Sequence, residues 1–449
     1  MRDCGGRSQC LGRGPGGRSP GDGRRPSWRL QLLACVLLCL PATTQGQTQE
    51  RVGTLVEFDF DYPPETSYDL GESWSYGAIL EIDSIFERNF DLDSRRDGDV
   101  AIVEPTLNLA FAYEPSERIR AFADLELRRD IPLRDDDDVL DSEGDFSLAQ
   151  AYVQVTDFYD GFSLQLGRQR FQDEREWWYD EELDAARLFY RSGRFGMELS
   201  ASRSTDLGND FLNHGSSEES ENYFFVGHYA YTEEAALSVY LLKLRNSDDR
   251  EYPLFLGLRS IGAIGTRLAH WVDAAIVAGN DDDRDIRAYG FDLGISYDTE
   301  LPLEPSFTLG LALGSGDSDP EDDVDREFRQ TGFQESYFYY GEVLAPELSN
   351  LWITTTGIQV RPLANTAVTL LHHYYRQHQL ADELRDVTIE QDPDGRHREL
   401  GHAVDLVFSY WGHRSLYLEL ILGAFFPGDA FASDASNAYL GELIISYEF

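Results

Sequence analysis

Apolar residues recur at every second position wherever the chain is not loop. A period of two marks a strand whose two faces meet different surroundings. In 118–128, Ile119, Ala121, Ala123, Leu125 and Leu127 alternate with Arg118, Arg120, Phe122, Asp124, Glu126 and Arg128. In 289–298, Tyr289, Phe291, Leu293, Ile295 and Tyr297 alternate with Gly290, Asp292, Gly294, Ser296 and Asp298. In 415–424, Leu416, Leu418, Leu420, Leu422 and Ala424 alternate with Tyr417, Glu419, Ile421 and Gly423, and 195–203 and 306–314 do the same. Each run is about ten residues long, which fits the ~9–11 residues of a tilted membrane strand. A sandwich strand is nearer five or six. About eighteen such runs occur, over 76–88, 101–113, 117–129, 147–157, 161–171, 183–192, 195–204, 222–232, 235–246, 252–262, 268–278, 286–298, 305–315, 350–361, 365–376, 400–412, 415–426 and 437–449. The pattern predicts an all-β fold, a transmembrane antiparallel β-barrel of about 18 strands, a size that leaves an aqueous channel.

The connections alternate in length. Those at 156–161, 191–194, 297–305, 361–365 and 412–415 are short, whereas 132–145, 206–221, 315–349 and 380–400 are long and acidic. Short turns at one rim and long loops at the other is the barrel arrangement, with the turns periplasmic and the loops extracellular. The chain ends in LIISYEF: Tyr439, Gly441, Leu443, Ile445, Tyr447 and Phe449 share one face, and Leu440, Glu442, Ile444, Ser446 and Glu448 the other. A soluble protein ending on so oily an edge would aggregate. In a barrel the strand closes against the first one, with its aromatic face in lipid and Glu442, Ser446 and Glu448 toward water.

Composition narrows the surroundings. The chain has 81 acidic and 38 basic residues in 449, a formal net charge of −43. Nucleic acid is excluded as a partner, because phosphate backbones need clustered Lys and Arg. Lys243 is the one lysine, so almost every cation is an always-charged planar guanidinium. Such a balance also suits a salt-loving organism. Residues 1–46 read as a secretory signal peptide: seven arginines, the apolar core 30–40, then small and polar residues suited to cleavage near Gly46. LLAC at 32–35 has the look of a lipoprotein box with Cys35 as the lipidated residue, but the apolar run continues past it. Arg24-Arg25 fits a twin-arginine signal poorly. All four cysteines, Cys4, Cys10, Cys35 and Cys39, fall in this segment, so residues 47–449 form one domain without thiols.

Candidate chemistry lies in the arginines. Arg120 and Arg128 share the charged face of one strand, and Arg187 alternates with Ala186 and Leu188. Arg259, Arg361 and Arg376 sit in or at the ends of other runs. A lumen-facing Arg is a contact for carboxylate or phosphate groups of a solute, or a rung in an internal Arg–carboxylate ladder. The acid runs 135–138, 280–285 and 317–325 have the oxygens for calcium but not the spacing of an EF-hand loop, and read as solvated loops. His372 and His373 point to opposite faces of a strand and cannot share an ion there. No metal site and no cofactor is expected. Neither a nucleophile elbow nor a zinc-protease motif occurs in 47–449, which argues against an enzyme. A barrel enzyme or an adhesin acting through the loops stays as an alternative, with His214 and His378 near strand ends, as does a soluble periplasmic β-protein.

At 166–193 the run Gly167-Arg168-Gln169, a following Trp and then Leu183-Asp184-Ala185-Ala186-Arg187 resembles the alginate export family of outer-membrane porins. The S-G-D loop leading to F-x-Q-T-G in 314–336, and the strands 401–410 and 419–431, are similar to the same family. The resemblance implies an 18-stranded barrel in the Gram-negative outer membrane, narrowed by an inserted loop. It implies an Arg-lined lumen that passes a polyuronate exopolysaccharide, with Arg168 and Arg187 at motif positions. The pore-lining candidates are therefore Arg120, Arg128, Arg168, Arg187, Arg259, Arg361 and Arg376. The expected partners are an anionic polysaccharide, outer-membrane lipid, the barrel assembly machinery that reads endings like this one, and periplasmic export proteins. A general anion or sugar-acid porin is the alternative within the channel class.

Overall fold

The computed structural model describes residues 65–449 except 96–97, 135–141, 174, 176, 204–219, 247–249, 335–336 and 414. The signal segment with its cysteines, the acid run 135–138 and His214 lie outside the described residues. After the two-residue β1 (Tyr68–Asp69), the chain runs through β2 (Trp74–Arg88), β3 (Val100–Ser116), β4 (Ile119–Arg134), β5 (Glu143–Tyr159), β6 (Phe162–Gln172), β7 (Asp180–Ser192) and β8 (Phe195–Arg203). It continues with β9 (Ser220–Ala230), β10 (Ala235–Asn246), β11 (Leu254–Ile264), β12 (Leu268–Asp281), β13 (Arg284–Asp298) and β14 (Ser306–Gly314). The short β15 (Val324–Asp325) pairs in parallel with β13. Then follow β16 (Leu351–Val360), β17 (Thr366–Gln377), β18 (Glu399–His413), β19 (Leu416–Pro427) and β20 (Ala438–Glu448).

Setting β1 and β15 aside, eighteen strands pair antiparallel, each with its chain neighbours, and β20 pairs with β2 to close the wall. Closure continues past the last strand, where Ala78 N donates to Phe449 O at 2.8 Å and Phe449 N to Ala78 O at 2.9 Å. Each of the eighteen alternating runs falls on one of these strands. The terminal edge is thus spent inside the barrel, as the ending LIISYEF implies.

Side chains sort by parity. Leu199, Phe225, Leu241, Leu256, Ile276, Leu293, Leu309, Leu370, Leu422 and Leu443 are exposed on the outer wall. The alternate positions hold polar groups, among them the buried Gln154, Gln165, Glu198, Asp273, Asp292 and Asp405. Tyr229, Tyr297 and Phe307 lie outward at the short-turn end, and Tyr289, Phe426 and Tyr439 outward toward the other end. Two aromatic girdles flanking an aliphatic band is the outer surface that lipid requires. The parity is testable. Leu309→Arg, at a residue 53% exposed on the outer wall, is expected to lower stability in vesicles by about 2–4 kcal/mol. Thr308→Arg, one position along and facing the lumen, is expected to cost far less. Denaturant titration in lipid vesicles reads both, and equal costs would shift the register by one.

Candidate functional site

The lumen is partly filled by segments that leave the long-loop rim and fold inward. The first, 173–179, turns around Asp173, whose carboxylate accepts Arg175 N at 3.0 Å and Trp178 N at 2.7 Å. The same carboxylate receives Arg259 Nη1 at 2.7 Å, while Arg259 Nε donates to Asp273 at 2.5 Å. The Trp178 ring lies 3.7 Å beneath the Arg259 guanidinium and 4.4 Å from Tyr240. Arg259 and Asp273 are 3% and 0% exposed, so this pair is sealed from water, with Asp173 at its edge.

The second segment is the connection 315–349. Phe328, Val343, Leu344 and Leu348 are buried, an unusual fate for an acidic loop. Arg329 anchors it: the guanidinium contacts Asp281 at 3.0 Å and also pairs with Glu251 and Asp325. Burial works against its charge, but Glu251 and Asp325 outweigh burial and hold it above its ordinary range. Gln330 N donates to Glu347 at 2.6 Å and Leu348 N to Gln330 at 2.9 Å, which clips the segment to itself. Asp292 of β13 is the seat on the wall, accepting Arg175 at 2.6 Å, Trp271 Nε1 at 2.8 Å and Tyr340 OH at 3.3 Å. Trp177 Nε1 donates to Tyr340 OH at 3.0 Å, so the two inward segments are tied to each other. Gly294 is required here, because a Cβ would lie 2.1 Å from the Trp271 ring.

A third segment, 378–398, braces the second. Thr388 N donates to Leu344 O at 3.2 Å, Arg385 pairs with Glu347 at 3.0 Å, and Glu390 N reaches Phe90 O at 2.9 Å. The inward positions of β9 to β14 nearer the long-loop rim, among them Phe224, Leu242, Phe255, Val277, Ala288 and Ala312, are buried in one cluster with these segments. The inward Glu81, Thr106, Asn108, Glu126, Glu419 and Glu442, on the wall formed by β2–β4 and β19–β20, are half-exposed to the remaining lumen.

The seven candidate arginines separate by position. Arg120 and Arg128 face the open lumen, their side chains 29% and 44% exposed, with Glu114 at 3.5 Å from the first and Glu104 and Asp130 at 3.4 and 3.1 Å from the second. Arg187 faces inward but is clamped by Glu198 at 2.8 and 3.2 Å and stacked on Phe171. Arg259 is the sealed centre described above. Arg361 sits at the short-turn rim, 3.8 Å from Glu304. Arg168 has the parity of the exposed Leu166, and Arg376 that of the exposed Leu370, so both stand on the outer wall. His372 and His373 do point opposite ways: His372 meets His402 at 3.0 Å, and His373 lies 3.6 Å from Asp405 inside. Among the described residues no group of three or more His, Cys, Asp or Glu could hold a metal ion.

The motif stretches turn out to be fasteners. Gly167 adopts φ +128°, where a Cβ would lie 2.2 Å from the Ala151 carbonyl. Arg168 Nε donates to Leu148 O at 2.9 Å, and Gln169 Nε2 to Gly167 O at 3.0 Å and Ala185 O at 3.2 Å, stitching β5, β6 and β7. Ser315 Oγ accepts Tyr289 N at 3.0 Å and donates to Arg326 O at 2.7 Å, while Asp317 holds Arg284 at 2.5 Å and Arg326 at 3.3 Å. Sequence reading overlooked Asp173, Arg175, Asp292 and Arg329. Their signal was available in two adjacent tryptophans, Trp177 and Trp178, inside a charged connection, which a solvated loop has no reason to carry.

Known proteins share this architecture. OccAB4 of Acinetobacter baumannii superposes with a TM-score of 0.58 at 14% identity, covering 85% of this chain and 99% of that one. The Pseudomonas aeruginosa OpdK, solved with vanillate, gives 0.56 at 12% identity, covering 83% and 98%. At such identities the likeness is one of fold. In sequence, 186 residues are 25% identical to the alginate production protein AlgE of Azotobacter vinelandii, 34% of this chain and 38% of that protein. The chain thus matches well under half the length of that curated relative. The model of the family described as alginate export matches residues 74–442, from the first residue of β2 into β20. With that match spanning nearly the whole wall, the chain belongs to the alginate export family.

Proposed function

We propose that this outer-membrane channel passes an anionic exopolysaccharide, an alginate-like polyuronate or its fragments, by passive diffusion. The carrying observation is a closed wall, oily outside and polar inside, whose lumen is narrowed by 315–349 but keeps a half-exposed hydrophilic side. Family membership supports the polyuronate. OpdK with vanillate supports a small organic acid as the second reading, on fold likeness alone. Arg120 and Arg128 are the residues we assign to the polymer. Both are inward and part-exposed, and exposed ion pairs of their kind are worth about 0–1 kcal/mol, so a uronate can displace Glu114 or Glu104. Arg187 and Arg259 instead hold the constriction in shape. Export begins with signal cleavage near Gly46 and insertion by the barrel assembly machinery, and periplasmic proteins deliver the polymer.

Purified protein in planar bilayers is expected to give stable conductance. Proteoliposomes are expected to swell in uronate oligomers, and Arg120→Gln with Arg128→Gln to slow that swelling several-fold relative to neutral sugars. Absence of conductance overturns the channel. Swelling in neutral sugars with exclusion of uronates overturns the polyuronate and leaves a neutral-sugar pore.

A further inference from the structure

The open side of the lumen has the opposite charge to the one an Arg-lined pore would show. Strands β2, β3, β19 and β20 together contain eight Asp and Glu and a single basic residue, Arg88, which has outward parity at the loop rim. Along β4 the inward side chains run Arg120, Phe122, Asp124, Glu126, Arg128. The two exposed guanidiniums therefore flank an acidic middle. On β3 Asn108 stands across from Glu126, and on β2 Glu81 stands in the row of Thr106 and Arg128 with Asp83 across from Glu104, so the acidic lining continues past Arg128 onto β2. On the other side of the seam, Glu442 and Glu419 extend it around the wall.

Glu419 is built into the wall as a hydrogen-bond acceptor. Ser409 Oγ and Tyr417 OH both donate to one oxygen of Glu419, at 2.6 and 2.5 Å, which only an acceptor oxygen accommodates. One amide, Asn108 Nδ2, is shared between Asp124 at 3.3 Å and Glu126 at 3.4 Å. Asp124 is 3% exposed, and its Oδ1 has no hydrogen-bond partner among the described residues. A buried carboxylate oxygen without a donor, beside a second carboxylate, is stabilised by any small cation that reaches it. With no cage of three acidic or imidazole ligands among the described residues, a chelated metal is not what fits. A row of oxygens along a water-filled wall fits exchangeable small cations, as acidic rings do in cation pores.

We propose that the band Glu81, Asp83, Asp124, Glu126, Glu419 and Glu442 holds exchangeable cations and makes the lumen prefer cations over anions. Resting on the polyuronate reading, it follows that the polymer passes this stretch as its cation-neutralised form. Its carboxylates meet guanidinium at Arg120 and Arg128 and counter-ions between them.

The test is the reversal potential of the purified full-length protein in planar bilayers under a potassium chloride gradient. The wild type is expected to favour potassium. Glu81→Gln with Glu126→Gln, and separately Glu419→Gln, are expected to cut that potential by about half or more. Heat-modifiable electrophoretic migration reports that each variant is folded, and the two sets of substitutions guard against one failing to fold. An anion-favouring wild type, or variants with the wild-type potential, overturns the band. Swelling in potassium oligouronate is scored apart. Potassium selectivity with oligomer exclusion upholds the band and removes the polymer, whereas anion selectivity removes the band even where the oligomer enters.

Discussion

Arg259→Leu is expected to lower stability by about 3–5 kcal/mol and to raise single-channel conductance, because it strands two buried carboxylates at once. Asp173 and Asp273 both lean on this guanidinium, at 2.7 and 2.5 Å. Asp273 is 0% exposed and cannot turn to water. Asp173 can, because it belongs to the inward turn 173–179 rather than to the wall. The least costly relaxation therefore swings that turn out of the lumen. It carries with it Trp178, which loses the face of Arg259 and the edge of Tyr240, and Trp177, which loses Tyr340. Loss of Tyr340 loosens 315–349 in turn. Adding Asp273→Asn to Arg259→Leu removes one stranded charge and is expected to recover part of the stability but not the closed turn. A double-mutant cycle by denaturant titration, run beside conductance, separates the two effects. If conductance stays at the wild-type value while stability falls, the turn is held by its aromatic packing and Arg259 only neutralises the wall.

The wall was legible because each strand states its own two faces. Leu416 to Ala424 declare a lipid side without reference to any other segment, and the same local rule fixed eighteen strands and the closing role of Phe449. The arginines were not legible in the same way. Parity says that Arg187 and Arg259 face inward, but whether an inward Arg meets solute depends on what else arrives there. For Arg187 it is Glu198, eleven residues on in the adjacent strand β8; for Arg259 it is a carboxylate 86 residues earlier, on a turn that folds into the barrel. Arg168 and Arg376 were identified by motif and by strand end, neither of which carries parity. The buried Gln165 and Gln169 on one side, and Tyr375 and Gln377 on the other, take the inward positions beside them. The net charge of −43 pointed at acidic loops, and part of that acid instead lines the lumen.

The tip of the constriction is expected to let go as pH rises. Glu342 sits where 315–349 meets the wall, and its backbone N–H donates to Asp405 of β18 at 3.4 Å. Burial comes first among the causes that push its carboxyl up to about 8 from 4.5, followed by the nearby Asp405, Glu442 of β20 and Glu419 of β19. His373 of β17 also faces this corner, 3.6 Å from Asp405, with its other nitrogen 3.0 Å from Thr355 of β16. An acid whose pKa is raised in the docked state binds a proton there that the undocked state has lost. Docking is therefore fully favoured below about pH 4.5 and weakens as pH climbs from there through about 8. At about 1.4 kcal/mol per pKa unit, the whole span is worth several kcal/mol at most. Buried contacts at Val343 and Leu344, and the 2.6 Å bond from Tyr375 OH to Tyr340 O, oppose release, so the tip is expected to flicker rather than detach. In bilayers between about pH 5 and pH 9, the wild type should spend a growing share of time in a larger conductance level as pH climbs toward 8, and that share should level off above it. Glu342→Gln removes the titrating group while keeping its size, so its occupancy should stay flat and low across the range. If the variant titrates like the wild type, the pH response belongs to Asp405 or His373 on the wall, and Glu342 merely shares their corner.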